Sequence, residues 1–196
     1  MARARAIRLT GCGVLTLVLV AAAAGCGGSG NDSGSSAATT TTSSAAATPL
    51  DGWASGFCQA VASWQSTVKK TKAKIDTSQA DFNTASQAIY SGSQALLGSL
   101  NGLGTPPAPA STQAQDTINT LSTNLKQESG NIQATLATKV STQSDVNQAS
   151  AQVRASIAKM NASISKAVAD LKALPDSEGW KKSFQQAPAC KLVANG

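Results

Sequence analysis

The chain has 196 residues and no histidine. Histidine is the side chain whose ordinary protonation falls near neutral pH. Its absence excludes an imidazole general base, a Ser-His or Cys-His nucleophile pair, a haem imidazole ligand and any His-containing zinc site. Charge is scarce as well: Asp, Glu, Lys and Arg make up 13% of the residues, about half the share in an ordinary soluble domain. Aromatics are only 4%. The ten acidic residues are scattered, and none of them pair at a spacing that suggests joint general-acid and general-base roles. No cysteine, aspartate or glutamate spacing points to a metal, and no glycine-rich loop points to a nucleotide, so no cofactor and no catalytic activity are expected.

The one long apolar run lies near the start. Met1 to Arg8 form a basic stretch containing Arg3, Arg5 and Arg8, and Gly13 to Ala22 are apolar. That is the pattern of a secretory signal peptide. About ten apolar residues fall well short of the roughly twenty needed to span a bilayer, which argues against a permanent transmembrane helix. The run ends in Ala23-Ala24-Gly25-Cys26.

These four residues resemble the bacterial lipobox, in which small residues precede a cysteine that is diacylated and becomes the first residue of the mature protein. The resemblance covers the first 26 residues. It implies that residues 1–25 are removed by cleavage between Gly25 and Cys26, and that Cys26 carries the lipid that holds the protein to the outer face of the cell membrane. Ala23 departs from the pattern, which prefers leucine there. Leu9-Thr10-Gly11-Cys12 is closer letter by letter but has no apolar run in front of it, so position favours Cys26. Loss of the three arginines leaves 13 basic against 10 acidic residues, a mature charge of +3. That is too mild to argue for nucleic acid or any other polyanionic partner.

Residues 26–49 are almost entirely Gly, Ser, Thr, Ala and Asn and read as a disordered tether without a core of its own. From residue 50 to 196 the apolar residues fall into helical periods. Val146, Ser150, Val153, Ile157, Met160, Ile164, Ala167, Leu171 and Leu174 alternate four and three apart. Ala54, Phe57, Val61, Trp64, Val68 and Ile75 follow the same rhythm, as do Phe82, Ala85 or Ser86, Ile89, Ser93, Leu96, Leu100 and Leu103. A third stretch, Ile118, Leu121, Leu125, Ile132, Leu136 and Val140, is broken by Glu128 and Gly130. Asp51, Ser78 with Asp81, Ser111 or Thr112, and Thr142 with Asp145 are the expected helix starts. Gly102, Gly104, Pro106 and Pro175 are the expected stops. The expectation is an all-α, antiparallel four-helix bundle, with a short fifth helix from about Asp176 to Gln186.

Cys58 and Cys190 lie in the two regions richest in aromatics, and an exported pair of this kind is expected to form a disulfide that staples the bundle. Trp53, Phe57, Trp64, Trp180 and Phe184 are candidates for lining a ligand pocket at the stapled end, or else for packing around the disulfide. Lys69, Lys70, Lys72 and Lys74 form the densest charge run, read either as a solvated helix terminus or as a contact for anionic headgroups. The whole layout resembles small helical lipoproteins of actinobacteria, which implies a location and no activity. The expected role is a membrane-anchored, non-enzymatic module that interacts with another envelope protein or has a structural task. A solute-binding lipoprotein with an aromatic-lined pocket is the alternative.

Overall fold

The computed structural model describes residues 48–175 and 177–194. The expected signal segment, the Gly25–Cys26 junction and the tether up to residue 47 lie outside the described residues. Within them the chain forms α1 (Pro49–Thr71), a 3-10 turn (Lys72–Lys74), α2 (Gln79–Gly102), α3 (Ser111–Ala137), α4 (Gln143–Lys172), α5 (Ser177–Gln186) and α6 (Pro188–Ala194). No strand occurs among the described residues. The sixth helix was not expected from the sequence, and it carries Cys190.

Helix starts follow the side chains that can satisfy unpaired first-turn amides. Thr142 and Asp145 form a reciprocal capping box at α4: the Thr142 hydroxyl accepts from the Asp145 N–H, and the Asp145 carboxylate accepts from the Thr142 N–H. Ser78 accepts from the Asp81 N–H at α2. At α1 the capping residue is Thr48 rather than Asp51, which sits three residues into the motif as its carboxylate partner. The helix thus begins just inside the segment read as tether. Neither Ser111 nor Thr112 caps α3; Ala110 precedes it in the left-handed region at φ 62° and offers no side-chain acceptor.

Facing residues establish the antiparallel arrangement. Trp64 on α1 bonds Ser93 on α2, while Gly92 meets Thr67, so numbers rise along one helix as they fall along the other. A Cβ on Gly92 would stand 3.2 Å from Thr67 Cγ2, so glycine lets α1 and α2 come close there. Gln94 donates to Ser129 between α2 and α3. Glu128 meets Lys159 between α3 and α4, and Thr135 lies beside Gln152 one layer further on. At the far end α4 reaches the first turn directly, with Ser150 Oγ donating to Ile75 O at 2.7 Å. At the near end α5 contacts both α1 and α4, and α6 packs on α1.

Every inward position read from the fourth period is buried, including Leu174 just beyond the end of α4. The first period is buried throughout, and Ala85 and Ser86 are both inside. Leu103 and Leu136, expected in the core, are only half-buried. The third helix runs unbroken through Gly130, whose missing side chain faces open space. Glu128 does not interrupt the period but occupies it, 6% exposed between Leu125 and Ile132. Of the residues whose burial is described, no Leu, Ile, Val, Met, Phe or Trp is exposed.

Candidate functional site

The stapled end is built by α1, α5, α6 and the α2–α3 connection. Cys58 and Cys190, 132 residues apart in sequence, form a disulfide with Cα atoms 4.9 Å apart. The four surrounding rings contact one another in sequence: Trp53 stacks on Phe57 at 5.9 Å, Trp180 meets Trp53 edge-on at 5.5 Å, Phe184 meets Phe57 edge-on, and Trp180 stacks with Phe184. Such offset and edge-on pairs contribute about 0.5–1.5 kcal/mol each beyond burial. Trp180 Nε1–H donates to Pro109 O at 3.1 Å, which fixes the α2–α3 connection to α5. Ser183 donates to Asp51 Oδ1 at 2.6 Å, tying α5 to the start of α1.

Of the two roles expected for these aromatics, the rings take up packing around the disulfide. Phe57 and Trp180 are 0% exposed, Phe184 2% and Trp53 6%, and each ring is in contact with two others of the four. The quartet is packed core around the disulfide. Trp64 does not belong to it: two turns further along α1, it donates through Nε1 to Ser93 Oγ at 3.1 Å, deep between α1 and α2.

Open grooves lie instead between the long helices. One of about 420 Å³ between α3 and α4 is lined by Asp116, Leu121, Asn124, Ser163, Lys166 and Asp170. Another of about 570 Å³ between α2 and α3 is edged by neutral amides and hydroxyls, with Lys126 the charged residue in its lining. The carboxylates are mostly engaged structurally. Asp81 and Asp145 hold helix starts, Asp170 clasps Lys166 at 2.7 Å, and Asp76 pairs with Arg154. Hydrogen bonds from Ser183 and then Thr48 hold the Asp51 carboxyl below its ordinary value. Those from Ser78 and Thr77 do the same for Asp81, and those from Ser141 and Thr142 for Asp145.

Glu128 is the buried exception. Burial pushes its carboxyl up, but hydrogen bonds from Asn131 and Ser156, with the Lys159 ammonium at 3.4 Å, outweigh that and leave it below its ordinary value. Sequence reasoning took this residue for an interruption of the apolar period. Its spacing of three from Leu125 and four to Ile132 was the signal that it faces inward.

No family model matches the chain, no curated protein matches it in sequence, and no solved structure matches it.

Proposed function

We propose that the protein is an extracytoplasmic lipoprotein of a high-GC Gram-positive cell, anchored through lipid on Cys26, whose helical domain serves as a non-enzymatic interaction module. The observation that carries this reading is the place of Cys26, directly after a short apolar run and the small residues Ala24 and Gly25. Two acyl chains on one cysteine give stable attachment where one chain would not. The Cys58–Cys190 bond supports the same address, since structural disulfides persist in oxidising compartments. Support for an interaction role comes from the surface. The large aromatics are closed into the core, the carboxylates mostly brace helix starts and salt bridges, and the exposed faces carry Ser, Thr, Asn, Gln, lysine and small alanines, among them Ala151, Ala155, Ala158 and Ala162 along α4. Such a surface offers a partner polar contacts and small apolar side chains, with no large exposed hydrophobic residue among those whose burial is described.

The test is fractionation of cells that express the wild type or Cys26→Ala, followed by detergent phase partition. The wild type is expected in the membrane and the detergent phase, and the variant in the aqueous phase. Wild type in the aqueous phase, or a variant that stays with the membrane, overturns the anchor.

A further inference from the structure

The groove between α2 and α3 is floored by aliphatic side chains and walled by neutral polar ones. Leu100, 2% exposed, and Ile118, 6% exposed, form its base. Gln115, Asn119 and Ser122 follow one another four and three residues apart, so they make one stripe along α3. Asn101 lines the groove from α2. Its volume of about 570 Å³ falls within the range of about 300–1,000 Å³ found for small-ligand sites.

Several of these polar groups are not used by the fold. The Ser122 side chain is buried, 7% exposed, yet its hydroxyl makes no hydrogen bond within the described residues. Elsewhere on α3 the hydroxyls of Thr117, Thr123 and Thr135 donate to the carbonyl four residues back. Ser122 leaves that bond unmade. Unlike Ser86, whose unpartnered hydroxyl is sealed in the core, it keeps its oxygen open to the groove that it lines. Gln115 Nε2 donates to Asn119 Oδ1 at 3.1 Å, which orients both amides and leaves the Gln115 Oε1 acceptor and the Asn119 Nδ2 donors unpaired. The Asn101 amide is unpaired within the described residues as well.

We propose that this groove binds a neutral saccharide. The assignment names a ligand class for the interaction role proposed above and rests on that role, but not on the lipid anchor. Ions are disfavoured by the charge of the lining, which has no carboxylate to hold a cation and the single ammonium of Lys126 to hold an anion. The lining also has no aromatic ring on which a nucleobase could stack. A helical peptide needs an apolar groove and an extended one needs a sheet edge. Here the two aliphatic residues are nearly closed over, and α2 and α3 spend their backbone groups within themselves. A saccharide fits on both counts. Each of its hydroxyls donates and accepts, which is what an unpaired amide carbonyl, an unpaired amide N–H and the Ser122 hydroxyl together require. The thin C–H faces of its rings need no deeper apolar contact than the edges of Leu100 and Ile118.

The test is titration of the full chain carrying Cys26→Ser with neutral tetrasaccharides of glucose, mannose and galactose, followed through the side-chain amide NMR signals of Asn101, Gln115 and Asn119. Sorbitol, tetragalacturonate and tetra-alanine are the comparison probes. At least one of the three tetrasaccharides is expected to shift those signals saturably, and to bind equally well at low and high salt because no ion pair is made. Ser122→Ala should weaken that binding about threefold to tenfold, the worth of one hydrogen bond. It should leave the melting temperature unchanged or raised, because the hydroxyl it removes has no partner in the free protein; a fall would give that hydroxyl to the fold and overturn the assignment. Gln115→Ala with Asn119→Ala, read at Asn101, should weaken binding by more than about tenfold. A control with Thr120→Ala and Asn124→Ala, which lie in the groove between α3 and α4, should keep it, and equal loss in the control overturns the site. No shift with any of the three tetrasaccharides, equal binding of sorbitol, or preference for the galacturonate or the peptide overturns the ligand class. Because the lipid is absent throughout, failure here leaves the anchor standing, and failure of the anchor leaves this groove standing.

Discussion

Glu128 and Ser93 both put polar atoms on the inward period, yet their removal should have opposite consequences. Glu128 is a buried ion whose partners keep other options: Lys159 is 66% exposed and can return to water, and Ser156 can bond the carbonyl one turn back in its own helix. Exchanging such an ion for an apolar residue of similar volume is often neutral or stabilising. Glu128→Leu is therefore expected to leave the melting temperature unchanged or raise it. Ser93, 0% exposed, accepts the Trp64 indole N–H while donating to Ile89 O. Ser93→Ala strands a buried donor and should cost about 1–3 kcal/mol in denaturant unfolding. A large loss for Glu128→Leu with none for Ser93→Ala would reverse the roles given to them.

The long helices were legible in sequence because their starts and their inward faces are both local properties. Thr142 with Asp145 and Ser78 with Asp81 sit beside the amides they satisfy, and the four-three spacing of α4 reads correctly from Val146 to Leu174. Failures fell where tertiary contacts decide. The start of α1 is an exception, because the Thr48–Asp51 capping box is local and was legible in the Thr-x-x-Asp spacing, although Asp51 is also held by Ser183, 132 residues later. α6 is seven residues long, too short to be stable alone, and is held by the disulfide and by α1. Clustering in sequence left the aromatics either lining a pocket or packing around the disulfide, and it is the contacts between α1 and α5 that close the rings on one another. The staple should thus matter most for the last two helices. In the chain-entropy picture a loop this long is worth about 4–5 kcal/mol. Reduction should lower the melting temperature and make trypsin cut first at Lys181 or Lys182, before α2 to α4. An unchanged melting curve would mean that packing of α5 and α6 suffices without the bond.

For the molecule as a whole, the lack of histidine and the position of the carboxylates set the response to pH. Asp51, Asp81, Glu128 and Asp145 all have folded values below their ordinary ones. As pH falls through the ordinary carboxylate range, near 4, the unfolded chain binds protons that the folded chain still refuses, and stability declines. Above that range the contribution is fully present, and with no histidine the melting temperature should be flat from about pH 5 to 7.5. A step between pH 6 and 7 would contradict this. Within the bundle, the chain enters beside the disulfide and the aromatic core, and Lys69, Lys70, Lys72 and Lys74 lie at the other end of α1. The proposed function rests on what precedes that entry. That reading depends on Cys26 being the first residue and carrying lipid. It can be decided by the intact mass of the protein purified from membranes, with and without reductant. The expected mass is that of a chain beginning at Cys26 with an added diacylglyceryl group, gaining two hydrogens on reduction of Cys58–Cys190. A chain that still contains residues 1–25, or one that begins at an unmodified Cys26, would contradict it.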